Sequence, residues 1–359
     1  MIRIGLIGCG FIGTVHSFAL RQLADAGLVD ARVTATYDPD RDRSAALAAH
    51  HDARPYPDLD ALLGEVDVAW ICTWTAAHRE AVEAAVAREL PVFCEKPLAP
   101  TLAECEQIAA ALERVPHQVG LVLRHAPVFR ALAAAVAEGR YGRPMATILR
   151  DDQYFPVQGM YASEWRSDVD RAGGGTLIEH SIHDVDVLRW ILGDPAEVAA
   201  RTASIFGHTG IDDTTTLTFS YPGGSTATIV SVWHQILTRG SSRRLEVFCE
   251  DALLWTDDDY LGPLRVETSA GTEVVDAPPP SWLECFNLPE VLAKPLGQYA
   301  EPAKFFLDAL THDGAAARGS PAATEALVAH RLVDLAYRSA RGGGAPLPAR
   351  SLMPPRARE

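Results

Sequence analysis

Lysine is nearly absent from this chain: only Lys96, Lys294 and Lys304 stand against 29 arginines in 359 residues. A lysine inside a tight motif therefore calls for a chemical reason. Cysteine is sparse and unpatterned, since Cys9, Cys72, Cys94, Cys105, Cys249 and Cys285 form no C-x-x-C pair. That spacing supports neither a disulfide framework nor structural zinc, and no metal is expected. It predicts small buried thiols in a reducing compartment. Positive charge is also short, with 32 basic against 47 acidic residues and a net charge of −15. Such a surface repels phosphate backbones and anionic lipid, which argues against nucleic-acid and membrane partners. No apolar run approaches the ~18 residues of a membrane span. The opening segment, residues 2–8, is too short and glycine-broken for a signal peptide, and a cytoplasmic location is expected.

What is present is an ordinary globular balance, 48% hydrophobic and 22% charged, in a chain long enough for about two domains. Strand-like stretches near residues 2–8, 32–37, 66–73, 92–94 and 119–123 alternate with helical ones at 13–26, 41–50, 78–88 and 101–114. That rhythm predicts parallel β-α-β units in a doubly wound α/β sheet over residues 1–123. Beyond residue 124 long strand-like stretches follow one another without intervening helices, at 145–155, 198–206, 214–220, 226–232, 244–250 and 264–268. A second, mostly antiparallel sheet is expected there. It carries helices at 127–138, 176–192, 299–311 and 322–341, so the second domain is drawn over residues 124–341. A Gly/Pro/Arg-rich tail, 342–359, is expected to be poorly ordered or to lie along the surface.

Gly8-Cys9-Gly10-Phe11-Ile12-Gly13 is a G-x-G-x-x-G between the first strand and the first helix. Glycines there allow the tight turn and the close approach of a pyrophosphate, which then sits at a helix N-terminus. Asp38 ends the second strand, where a carboxylate accepts from ribose hydroxyls and repels a 2′-phosphate. NAD is thus favoured over NADP, with Arg41 and Arg43 able to soften the preference. Thr73 and Trp74 end another parallel strand and are expected near the nicotinamide ribose. Arg124, after the last strand of the series, is a further candidate for contact with cofactor or substrate.

Glu95-Lys96-Pro97 follows a short strand of the same domain. The proline keeps Lys96 out of helical geometry at the carboxyl edge of the sheet, where its charge can bind a substrate hydroxyl and favour its deprotonation. Downstream, residues 176–192 read as one helix on which Glu179, His183 and Asp186 share a face at i, i+4 and i+7. An imidazole there suits proton transfer near neutrality.

The glycine turn, Glu95-Lys96-Pro97, and the run from Gly173-Gly174-Gly175 through Glu179, His183 and Asp186 resemble, in order and spacing, the signatures of the glucose-fructose oxidoreductase/inositol dehydrogenase (Gfo/Idh/MocA) family. Cys72-Thr73-Trp74-Thr75 with His78, and Trp165-Arg166 before the triple glycine, support the resemblance. It implies a Rossmann domain, a C-terminal domain with a large open sheet, and homodimers or homotetramers built through that sheet. It further implies NAD(P)-dependent oxidation or reduction of a secondary alcohol on a sugar, polyol or cyclitol. His183 matches the family's catalytic histidine, while Glu179 stands where the family usually has aspartate. Lys96, His183 and Glu179 are the expected catalytic and substrate-binding residues, with Trp165 and Arg166 as further substrate contacts. Gly8, Cys9, Gly10, Phe11, Ile12, Gly13, Asp38, Thr73, Trp74, His78, Glu95, Lys96 and Arg124 are expected around the cofactor. Two rival functions share the pattern: glycoside hydrolysis by transient oxidation and elimination with NAD, and a non-catalytic dinucleotide sensor.

Overall fold

A computed structural model describes residues 1–258, 260–312 and 321–349. They form two compact units, one from the described residues within 1–125, 170–172 and 279–327, the other from those within 126–169, 173–278 and 328–349.

The first unit alternates strand and helix: β1 (Ile2–Ile7), α1 (Phe11–Asp25), β2 (Ala31–Tyr37), α2 (Arg41–His51), β3 (Arg54–Pro55), α3 (Leu59–Leu63), β4 (Val68–Ile71), α4 (His78–Val86), β5 (Val92–Cys94), α5 (Leu102–Leu112) and β6 (His117–Val119). The strands pair in parallel in the order β3-β2-β1-β4-β5-β6. Strand order therefore reverses between β1 and β4, the switch point at whose carboxyl edge such sheets bind ligands. The central strands are apolar on both faces because helices cover both. Trp70 of β4 and Phe93 of β5 stack with ring centroids 4.1 Å apart inside this core.

Along the chain follow α6 (Pro127–Ala137), β7 (Pro144–Tyr154), α7 (Val169–Ala172), α8 (Thr176–Glu179), α9 (Ile182–Leu192), β8 (Glu197–Ala203), β9 (Thr214–Ser220), β10 (Thr226–His234), β11 (Ser242–Cys249), β12 (Ala252–Thr256), β13 (Leu264–Thr268), β14 (Gly271–Val275), α10 (Glu290–His312), α11 (Ala323–Arg341) and β15 (Leu347–Pro348). The second unit holds a nine-stranded sheet ordered β14-β13-β12-β11-β7-β10-β9-β8-β15. Every pairing is antiparallel except β7 with β10. Alternation sets its two faces: β10 buries Ala227, Ile229, Ser231 and Trp233 and turns Thr228 and Val230 the other way.

Two expectations are corrected and a third is narrowed. The stretch 279–327, drawn with the second domain, packs in the first unit. There Leu296, Ala300, Ala303, Phe306 and Leu307 of α10 join a core with Ile4, Leu20, Trp70 and Phe93. An amphipathic stripe predicts a helix without saying which sheet it covers. The tail from 342 is not loose throughout its described part. Leu347 and Pro348 pair with β8, and the buried Ala349 donates its N–H to the Ala196 carbonyl; residues 350–359 lie outside the described residues. The single helix over 176–192 is two, parted at His180 and Ser181. Both side chains there reach for Asp151 on β7: Ser181 Oγ donates to it at 2.9 Å and His180 Nδ1 lies 3.1 Å away. Of the cysteines, five are buried as expected and Cys285 is exposed.

Phe306 is fully buried against Trp70 and Phe93. Phe306→Ala is expected to cost about 3–5 kcal/mol. A urea titration followed by circular dichroism would read this as a lowered transition midpoint.

Candidate active site

In the first unit the glycine turn is shaped as a dinucleotide cradle. Gly8 adopts φ +93°, and a Cβ on it would meet the Cys72–Thr73 backbone at 2.6 Å. A Cβ on Gly13 would strike the Gly8 carbonyl oxygen at 2.1 Å, so helix α1 closes on the turn only because the residue is glycine. Gly10 is different, for a Cβ there would meet nothing within 4 Å. Its open side is where a pyrophosphate can approach. Helices α2, α3 and α5 begin under the side chains of Asp40, Asp58 and Thr101, whereas α1 starts at Gly10 with no side-chain cap and no acidic residue in its first turn. The positive end of its dipole is therefore not offset by a side chain of its own first turn, which suits an anion there.

Asp38 is buried at the end of β2. Its Oδ2 accepts the Cys9 N–H at 2.8 Å and its Oδ1 the Asp40 N–H at 2.9 Å. Arg43 reaches only to 3.8 Å of it. Burial, with the Asp38 charge beside it, pushes the Cys9 thiol up to about 12. Cys9 therefore serves the turn as a small neutral side chain. At the end of β4, Thr73 Oγ1 is buried without a hydrogen-bond partner, the kind of orphan a ligand hydroxyl would satisfy. Trp74 is half-buried, with the Arg171 guanidinium 5.5 Å from its ring centroid. His78 is buried beneath these turns, its two ring nitrogens facing the carbonyl oxygens of Pro97 at 2.8 Å and Thr73 at 3.2 Å. Its place is a tie between the ends of β4 and β5.

Lys96 follows β5 and is half-buried; the peptide joining it to Pro97 is cis. Glu95, expected around the cofactor, is instead sealed beneath the turn. Its Oε1 lies 2.8 Å from Nε2 of the fully buried His16, and its Oε2 accepts the Lys96 N–H at 3.1 Å. Burial pushes this carboxyl up, but the bond and charge of His16, with Lys96, outweigh it and hold the group below the usual carboxylate range. Arg124, the other outer candidate, is also largely buried and pairs with Glu325 at 2.6 Å. Gly8, Asp38, Thr73 and Lys96 thus follow four adjacent parallel strands, at one edge of one sheet.

In the second unit the triple glycine is explained by Asp212, which the sequence reading missed. Asp212 Oδ1 accepts from Gly175 N–H and Tyr337 Oη, both at 2.8 Å; Oδ2 accepts from Leu177 N–H at 3.0 Å and Thr215 Oγ1 at 2.9 Å. A Cβ on Gly175 would lie 1.8 Å from the Asp212 carbonyl oxygen, and one on Gly174 2.4 Å from Tyr337 Oη. Burial raises the Asp212 carboxyl despite these four donors.

That anchor starts α8, which ends on Glu179. The Glu179 side chain is almost fully buried, and Arg166 donates to it through Nε at 3.3 Å. Arg166 in turn lies over the Trp165 ring at 4.4 Å from its centroid. Three of the residues expected to meet substrate, Trp165, Arg166 and Glu179, are therefore one contiguous group, with Arg166 holding Glu179. His183 and Asp186 are buried in the first turns of α9, and the break at His180–Ser181 removes the continuous helical spacing from Glu179. Beneath it, burial raises the Asp151 carboxyl well above its ordinary range, with Arg243 opposing and Asp184 adding to the shift. Arg243 Nε donates to Asp184 at 2.8 Å. His16, Asp151 and Asp212 all escaped the sequence reading because their partners lie 79, 30 and up to 125 residues away.

The family model described as the oxidoreductase family with an NAD-binding Rossmann fold, GFO_IDH_MocA, matches residues 2–122. The GFO/IDH/MocA C-terminal domain model matches residues 129–254. The chain is 33% identical over 222 residues to a 1,5-anhydro-D-fructose reductase of Ensifer adhaerens, covering 59% of this chain and 64% of that one. It is 36% identical over 205 residues to an inositol 2-dehydrogenase of Paracoccus denitrificans, covering 54% and 55%. The match thus spans a little over half the length of these curated relatives. Among solved structures, a levoglucosan dehydrogenase in complex with NADH and L-sorbose superposes with a TM-score of 0.85 at 19% identity, covering 97% of this chain and 99% of that one. An Agrobacterium radiobacter oxidoreductase in complex with NAD+, L-tartaric acid and magnesium gives 0.81 at 22% identity, covering 98% and 99%. At such identities the structures speak for the fold alone. With both domain models matched in tandem, and the fold shared along nearly its whole length, this chain belongs to the Gfo/Idh/MocA family of oxidoreductases.

Proposed function

We propose that the chain is an NAD-dependent dehydrogenase acting on a secondary alcohol of a sugar, polyol or cyclitol. The observation that carries this reading is the shared carboxyl edge of one parallel sheet, which presents the open cradle at Gly10, the carboxylate of Asp38 and the ammonium of Lys96. Relatives named for inositol and anhydrofructose support the substrate class. Bound NAD would supply the hydride acceptor. Gly8 to Gly13 would hold its pyrophosphate, and Asp38 its adenosine ribose hydroxyls.

The chain's own groups then manage one proton. Lys96 binds the substrate hydroxyl and favours its ionisation through its charge. His183 takes the hydroxyl proton on a ring nitrogen as the carbon gives up its hydride with both electrons of the C–H bond. Glu179 binds a neighbouring substrate hydroxyl, and Arg166 aims its carboxylate. Trp165 offers a ring face to the sugar. Assembly into a homodimer or homotetramer belongs to the same reading, and the exposed Ile148 and Phe248, on one face of the nine-stranded sheet, would favour it.

Near-ultraviolet absorbance over a panel of cyclitols, polyols, aldoses and sugar acids tests the reading. Reduced nicotinamide should accumulate with at least one of them, and silence across the panel with NAD bound would overturn it. Lys96→Ala and His183→Ala should each lower kcat by about 10²–10⁴-fold. Intrinsic fluorescence quenching should meanwhile report NAD affinity little changed for His183→Ala. Asp38→Ala should erode the preference for NAD over NADP by about tenfold or more, the weight of one charged hydrogen bond, measured as a ratio of kcat/KM values.

A further inference from the structure

We propose that His16 is a positioning residue that sets Lys96 by way of Glu95, joining the helix that opens at the glycine turn to the lysine that meets the substrate. This rests on the reading of Lys96 given above. The Glu95 carboxylate is a two-ended bridge. One oxygen faces His16 on α1, the other takes the backbone N–H of Lys96, and each end is short. A carboxylate oxygen only accepts, so His16 Nε2 carries the proton between them.

Neither end has room to drift. The imidazole is fully buried between Trp70, Phe93 and Tyr299, with ring centroids 5.8, 5.1 and 5.3 Å away. The carboxylate fills the space above Gly120, where a Cβ would come within 2.5 Å of Oε1. A buried carboxylate that loses one of its donors must either find another or move. The group tied to the same carboxylate is the Lys96 backbone, whose N–H it holds at 3.1 Å. Displacement of that amide displaces the lysine side chain built on it. A shift of the order of 1 Å at a substrate-contacting group costs on the order of 10²-fold in rate.

Three lysines in the whole chain make the test direct. The variants are His16→Leu, which keeps bulk without a donor, and His16→Gln, which restores an N–H near the Nε2 position. Acetylation of Lys96 under limiting reagent is followed by peptide mass spectrometry. Lys304 on α10, paired with Asp308 at 2.6 Å, is the internal control. In His16→Leu the Lys96 rate should change by about 2- to 10-fold, the factor for one net hydrogen bond, with the Lys304 rate unchanged. On an accepted alcohol kcat should fall on the order of 10²-fold. NAD affinity by fluorescence quenching should stay within about threefold, and His16→Gln should recover most of both losses.

An unaltered Lys96 rate in folded His16→Leu overturns the proposal. So does a parallel change at Lys304 and in NAD affinity, because His16 would then be core packing alone. Should His16→Leu fail to fold, Glu95→Gln carries the same measurement. It keeps the shape and alters the bridge, and an unchanged Lys96 rate there is equally fatal. Absence of any dehydrogenase activity in the unmodified enzyme would instead defeat the functional reading, and the acetylation rates would still decide the bridge.

Discussion

A carboxylate removed from water must be given donors, and that demand organises both halves of this chain. Asp38, Glu95 and Asp212 are each buried, and each is held by backbone N–H groups of the turn it serves. Asp38 accepts from the glycine turn, Glu95 from Lys96, and Asp212 from the start of α8. A turn tethered in this way cannot relax without exposing a charge to an apolar core, a cost of several kcal/mol. Three turns that lead into candidate site residues are therefore tethered for the same reason. Asp151 makes the contrasting case, since its donors are mostly side chains and a second carboxylate crowds it. It parts α8 from α9 and sets where the second helix begins.

The close approach of glycine to backbone complements those tethers. Gly8 lies against the Cys72–Thr73 backbone, Gly13 against the Gly8 carbonyl, and Gly175 against Asp212. In each case the missing side chain is what lets two backbone segments approach, and at Gly175 it also lets the N–H reach Asp212 Oδ1. Gly10 alone among these has empty space beside it, and the difference separates a glycine needed for packing from one that leaves room for a ligand.

Much of this was legible in the sequence because it is local. The glycine fingerprint, the lysine before proline and the β-α rhythm of residues 1–123 each occupy a few neighbouring positions, and the parallel sheet follows from them. The mostly antiparallel second sheet was legible from strands that succeed one another without helices. Long-range pairing was not. His16 reads as one more residue of an amphipathic helix until Glu95 is placed beside it, and Asp212 falls between two strand-like stretches and in none of the motifs. The apolar stripe of α10 predicted its burial but not its partner, and the Gly-rich stretch after α11 concealed an edge strand. The split of the acid-histidine helix escaped because Ser181 and His180 are acceptable helix residues. Only a buried aspartate on another strand makes them break it.

The replacement of the family's usual aspartate by Glu179 gains its meaning from Arg166. An aspartate in the same backbone position would stop one methylene short. Here the longer side chain is met by a guanidinium that stacks on Trp165, and the three form a single unit. The pair is largely buried, so the charge of Glu179 is balanced within the protein rather than by water. A hydroxyl that approaches this carboxylate competes with Arg166 for its lone pairs, and a carboxylate has enough of them to accept from both. The guanidinium is held from two sides, by the Glu179 carboxylate at 3.3 Å and by the indole whose centroid lies 4.4 Å from it.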